Sequence, residues 1–74
     1  MKIVVKLFAK LREFGPEYQE MEVPEDTLLE DLIELLKLPD DLPALKIVNG
    51  IACDLQQPLR EGDEVALFPP IAGG

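Results

Sequence analysis

Residues 27–37, Thr27-Leu28-Leu29-Glu30-Asp31-Leu32-Ile33-Glu34-Leu35-Leu36-Lys37, decide how the rest of the chain is read. Leu28, Leu29, Leu32, Ile33 and Leu36 recur at helical spacing and form one apolar face, while Glu30, Asp31, Glu34 and Lys37 fall opposite. Thr27 and Glu30 have the spacing of a capping box, with the Thr27 hydroxyl accepting from the Glu30 amide and the Glu30 carboxylate accepting from the Thr27 amide. Asp26 and Glu30 oppose the positive end of the helix dipole and Lys37 the negative end. Pro39 is expected to stop the helix. A helix with one apolar stripe must bury it against another layer, and the flanking sequence supplies that layer.

Upstream, residues 2–9 (KIVVKLFA) are apolar and rich in β-branched side chains and are expected to form a strand. Lys10 to Phe14 can make one helical turn, ended by Gly15-Pro16. Residues 18–23 (YQEMEV) bring Met21 and Val23 into alternation and predict a strand antiparallel to the first, closed by Pro24. Downstream, residues 45–49 (LKIVN) predict a strand turning at Gly50, Leu55 to Leu59 a connection holding Pro58, and Arg60-Glu61-Gly62-Asp63 a turn. Residues 64–68 (EVALF) form the last strand, ended by Pro69-Pro70, which cannot donate to a ladder. A hairpin, a helix and two returning strands make an α+β fold: one mixed sheet with the helix on one face, the β-grasp or ubiquitin-like arrangement. The apolar first and last strands are expected at its centre, parallel and joined through the helical crossover. The whole of residues 1–74 is read as a single domain.

Composition narrows the function. Fifteen acidic and seven basic residues give a net charge of −8, which argues against nucleic acid because phosphate contacts need Lys and Arg. With one cysteine, Cys53, and no histidine, the chain holds neither the ligand set of a Cys/His zinc site nor that of an iron–sulfur cluster. It also has no Ser, so Ser/His/Asp and Cys/His nucleophile arrangements are excluded. No metal site and no bound cofactor are expected. Cys53 is expected to be a small apolar filler. The carboxylates of Glu30, Asp31 and Glu34, and of Asp40-Asp41 in a loop, are read as solvated charge and not as a catalytic pair. The short apolar run at Ile3–Ala9 suits neither a signal peptide nor a membrane span, so a cytoplasmic location is expected.

The remaining signal is the ending, Pro69-Pro70-Ile71-Ala72-Gly73-Gly74. Chance places Gly at two given positions in roughly 0.5% of chains. Two prolines stiffen the exit from the last strand, and four further residues extend at most roughly 14 Å. Gly73 and Gly74 lack a β-carbon and can pass a narrow opening. The reading is a tail over about residues 69–74 that presents the Gly74 carboxylate to another protein's active site, with Ile71, Ala72 and Gly73 in its channel. Strand alternation puts Phe68 on the sheet face opposite the helix and Phe8 alongside it. Together with Pro69 and Pro70 they make an apolar partner patch beside the tail.

These residues carry a family resemblance over the whole length. Pro58-Leu59 followed by Gly62-Asp63-Glu64-Val65-Ala66-Leu67-Phe68-Pro69-Pro70-Ile71-Ala72-Gly73-Gly74 resembles the PL-x-x-GDEVA-x-FPP-x-x-GG ending of molybdopterin synthase small subunits. Leu7-Phe8-Ala9-Lys10-Leu11-Arg12-Glu13 resembles their opening, and Val48-Asn49-Gly50 a mid-chain motif. More broadly the chain is similar to the ubiquitin-like sulfur carriers, including that of the thiamine pathway.

The resemblance implies a non-catalytic, sulfur-donating small subunit of a heterotetramer. An adenylating partner enzyme would use Mg-ATP to convert the Gly74 carboxylate to an acyl-adenylate, and a sulfur donor protein would then turn it into a thiocarboxylate. Inside the large subunit of molybdopterin synthase that sulfur would go to the dithiolene of the pterin. Sulfur delivery to the thiazole of thiamine, and conjugation of Gly74 to protein lysines, remain alternatives, because the acceptor is set by the partner. No nucleic acid or membrane partner is implied.

Overall fold

The computed structural model describes residues 1–39 and 42–70. Among them, five strands form one mixed sheet: β1 (Lys2–Leu7), β2 (Tyr18–Glu22), β3 (Leu45–Val48), β4 (Ile51–Ala52) and β5 (Glu64–Phe68), with α1 (Leu29–Leu35) between β2 and β3. The strand order is β2-β1-β5-β3-β4. β1 runs antiparallel to β2 and parallel to β5, and β3 runs antiparallel to both β5 and β4. This is the β-grasp, with the first and last of the expected strands paired in parallel at its centre.

Alternation sorts each central strand into two faces. Ile3, Val5 and Leu7 of β1 and Val65 and Leu67 of β5 are all buried, and they meet Leu29, Leu32, Ile33 and Leu36 from the helix. Each such side chain contributes about 1.5–3 kcal/mol by leaving water. A helix cap is worth about 1 kcal/mol. Packing against the sheet therefore holds this seven-residue helix, which is far too short to persist alone.

The caps differ from those the sequence suggested. Leu28, not Thr27, is the N-cap, and Asp31, not Glu30, accepts from its backbone amide at 3.0 Å. The Thr27 hydroxyl instead donates to the Pro24 carbonyl. The first helical amides find partners across the chain. Leu29 N–H donates to Gln57 O at 2.9 Å and Glu30 N–H to Leu55 O at 3.0 Å, while Leu59 N–H donates to Thr27 O at 3.0 Å. The 55–59 connection is thus a tertiary cap on α1.

At the other end the helix stops before Pro39. Lys37 takes φ 60°, its N–H reaches Glu34 O at 3.0 Å, and Leu38 N–H reaches Ile33 O at 3.3 Å. This is a Schellman closure, with buried Leu38 packed in the core beside Ile33.

Two smaller corrections follow. β1 ends at Leu7, two residues early, because Ala9 turns to φ 54° and opens a 3₁₀ helix over Ala9–Phe14. β4 was not expected: Asn49 (φ 52°) and Gly50 (φ 83°) make a two-residue hairpin turn that folds Ile51–Ala52 back onto β3. Cys53 is half-buried and packs against the core, with its Sγ 3.2 Å from Ile51 O. Asp40 and Asp41, read as loop residues, lie outside the described residues.

An L-residue in the left-handed region carries steric strain that glycine does not. Lys37→Gly is expected to stabilise the protein by about 0.5–1 kcal/mol, seen as a higher urea midpoint with an unchanged slope. A lower midpoint would show that the Lys37 charge at the helix end outweighs the strain.

Candidate functional site

The site is built where β5 leaves the sheet. The start of β5 is held by a polar knot. Asn49 Nδ2 donates to Asp63 Oδ1 at 2.8 Å, and the Asn49 Oδ1 accepts from Glu64 N–H at 2.9 Å. Asp63 Oδ2 accepts from Arg60 N–H at 2.8 Å across a turn in which Gly62 takes φ 84°. These bonds account for Asn49, Gly62 and Asp63 in the motifs, since they lock the β3–β4 turn to the first residue of β5. Val4 N–H donating to Asp63 O at 2.9 Å then sets the register of β5 on β1.

That register brings β5 to its end beside Phe8. Phe8 N–H donates to Leu67 O at 3.1 Å, and Ala44 N–H donates to Phe68 O at 2.9 Å. Past Phe68 the next two residues are prolines, so the ladder has no further donors and the chain departs. Pro69 is half-buried and Pro70 exposed.

Phe8 and Phe68 lie side by side on the face away from the helix, as alternation predicted. Their rings stack at 4.3 Å between centroids and 9° between planes. Each is half-buried, partly by the other. The pairing of Leu45 with Phe68 and of Ile47 with Ala66 extends this apolar surface across β3. Leu45 is 44% exposed. Ala9, Ala44, Leu45, Phe68, Pro69 and Pro70, with Lys10, line an apolar groove at the same end.

Sequence reading found Phe8, Phe68, Pro69 and Pro70 and missed Leu45, Ile47 and Ala44. The signal for Leu45 and Ile47 was the β3–β5 register, which alternation within one strand does not supply. Ile71, Ala72, Gly73 and Gly74 lie outside the described residues. Glu30, Asp31 and Glu34 are exposed. Asp31 serves as the helix cap. No helix among the described residues is long and apolar enough to cross a membrane.

Comparison with known proteins places this architecture. Over a 34-residue match the chain is 47% identical to the molybdopterin synthase sulfur carrier subunit of Phaeosphaeria nodorum. That match covers 46% of this chain and 35% of the relative, so it spans about a third of that protein. The chain is also 32% identical over 60 residues to Protein RnfH of Rhodobacter capsulatus, covering 73% and 71%.

Among solved structures, a Pyrococcus furiosus protein provisionally named molybdopterin converting factor, subunit 1, superposes with a TM-score of 0.80 at 30% identity, covering 96% of this chain and 99% of that one. The Haloferax volcanii small archaeal modifier protein 1 superposes with a TM-score of 0.77 at 29% identity, covering 95% and 98%. The ThiS family model matches residues 5–74, from the middle of β1 through the diglycine. The chain belongs to the ThiS family.

Proposed function

We propose that this protein is a sulfur carrier whose reacting group is the Gly74 carboxylate, and that it serves molybdopterin synthesis as the small subunit of the synthase. The observation that carries the reading is the end of β5. A central strand stops at Phe68, two prolines leave an apolar surface, and the sequence continues Ile71-Ala72-Gly73-Gly74. Family membership supports carriage, and the named relatives in molybdopterin synthesis support the acceptor.

The chemistry follows from what a carboxylate lacks. It is a poor electrophile, so an adenylating partner must first join it to AMP from Mg-ATP, releasing pyrophosphate. A sulfur donor protein then displaces AMP and leaves a thiocarboxylate, now nucleophilic at sulfur. In the large subunit that sulfur bonds to a carbon of the pterin precursor as an oxygen substituent of that carbon leaves. Water then hydrolyses the resulting thioester, breaking the bond from the Gly74 carbonyl carbon to sulfur and restoring the carboxylate while the sulfur stays on the pterin. The domain itself supplies binding energy to successive partners. The Phe8–Phe68 stack, with Pro69 and Pro70, is the docking surface that aims the tail. We place these steps in a reducing cytoplasm, where the single Cys53 stays a thiol. A second reading, a protein modifier joined through Gly74 to lysines, draws on the likeness to the archaeal modifier.

Four outcomes test this account. Deleting Gly73 and Gly74 should abolish sulfur delivery and leave the melting temperature nearly unchanged; a drop of many degrees would make the glycines structural. Gly73→Val should impair delivery by clashing in a narrow channel, and full activity would show that the channel is wide.

Phe68→Ala should weaken binding to the large subunit by about 2–4 kcal/mol. It should cost the isolated domain less than this, because the ring is only half-buried. A large loss of stability with unchanged binding would remove Phe68 from the interface.

Finally, thiocarboxylated protein mixed with a molybdopterin synthase large subunit and the cyclic pyranopterin precursor should yield the dithiolene. Thiazole formation in the thiamine system instead, or Gly74–lysine isopeptides on host proteins, would reassign the acceptor.

A further inference from the structure

The sheet has two edges, and they differ. β4 is two residues long, whereas β2 offers five. In the β1–β2 ladder, Val23 N–H donates to Met1 O at 2.8 Å and Leu7 N–H to Glu17 O at 3.0 Å, so Glu17, Gln19, Met21 and Val23 turn their backbone groups inward. Tyr18, Glu20 and Glu22 turn theirs outward, and among the described residues β2 is an edge strand paired with β1 alone, so no strand lies on that side. Their side chains lie on the open face of the sheet, while half-buried Met21 points to the helix side and packs against the core.

Charge is concentrated on the same part of the chain. Residues 13–36 hold nine of the fifteen carboxylates and none of the seven Lys and Arg residues. The rest of the chain carries six carboxylates and seven bases, close to balance. On the edge itself Glu22 faces the N-terminal amine at 3.2 Å and Glu17 faces Arg12 at 3.2 Å, yet their side chains remain 74% and 64% exposed. Among the described residues Glu20 has no ion-pair partner. Acidic edges repel one another, so two copies pairing β2 to β2 would set Glu20 and Glu22 against like charge.

We propose that the β2 edge is a second docking surface, which takes an extended, basic segment of a partner protein as a sixth strand. Tyr18, Glu20 and Glu22 supply main-chain bonds, as in other strand additions. The preferred segment alternates Lys or Arg with apolar residues. Its cations then lie beside Glu20 and Glu22 on the open face, and its apolar side chains fall beside Met21 on the other. This surface meets the Phe8–Phe68 patch at Tyr18, which lines a pocket together with Phe8, while Glu20 and Glu22, opposite Val4 and Lys2, lie along the edge away from that patch.

The test uses the full chain, ¹⁵N-labelled, and a blocked heptapeptide alternating Lys and Val. Binding at low salt should slow hydrogen exchange at the Tyr18, Glu20 and Glu22 amides by roughly tenfold or more at saturation, and should weaken as salt rises. Glu20→Lys should lower affinity by roughly tenfold. The same peptide N-methylated throughout keeps its charge but loses its donors and should not protect these amides. Equal binding by the methylated peptide would reduce the effect to charge alone and overturn the strand addition. Shifts confined to Phe8, Phe68 and Leu45, no binding, or a dimer formed through β2 in place of peptide binding would each overturn it as well.

Discussion

The parallel pairing of β1 with β5 is the constraint on which the rest of the structure depends. Parallel neighbours cannot be joined by a tight turn, so everything between Leu7 and Glu64 serves as a crossover. The β2 return strand, the helix and the β3–β4 hairpin are the contents of that crossover. Once β5 lies between β1 and β3, both its edges are satisfied, and its last residue reaches the end of the sheet beside Phe8. The direction in which Pro69 and Pro70 leave β5 is therefore a property of the sheet's centre.

The helix completes this by covering the face that β1 and β5 make apolar. Its packing energy exceeds its capping energy several-fold, which explains how Leu28, with no side-chain acceptor, can occupy the N-cap. The donors that an N-cap side chain would satisfy are met by Gln57 and Leu55 carbonyls. This ties the 55–59 connection to the helix and leads the chain, through buried Leu59, to the turn that starts β5. The motif residues Leu59, Gly62 and Asp63 are thus structural in their immediate role. They position β5, whose far end, in the proposed function, presents the tail.

Much of the fold was legible from local pattern. The apolar, β-branched-rich runs at Lys2–Leu7 and Glu64–Phe68, and the 3.6-residue spacing of Leu29, Leu32, Ile33 and Leu36, need no tertiary information. What was not legible depended on distant partners. Thr27 and Glu30 have capping-box spacing, but the Glu30 amide that Thr27 would have served donates to the Leu55 carbonyl, and the Thr27 hydroxyl donates to the Pro24 carbonyl. β4 exists only because Asn49 accepts a left-handed backbone beside Gly50. Of the candidate site, the Phe8–Phe68 pair followed from alternation together with the expected parallel pairing of the first and last strands and the family resemblance, whereas Leu45 and Ile47 required the antiparallel register of β3 on β5. The diglycine was legible as sequence, and Gly73 and Gly74 lie outside the described residues.

The measurement that tests the central claim most directly is the mass of the protein after incubation with its adenylating enzyme, Mg-ATP and a sulfur source. The account predicts that one oxygen is replaced by one sulfur, that fragmentation places the change at Gly74, and that omitting ATP prevents it. A folded protein with an intact C-terminus that is never adenylated, or sulfur found at Cys53 and not at Gly74, would contradict it.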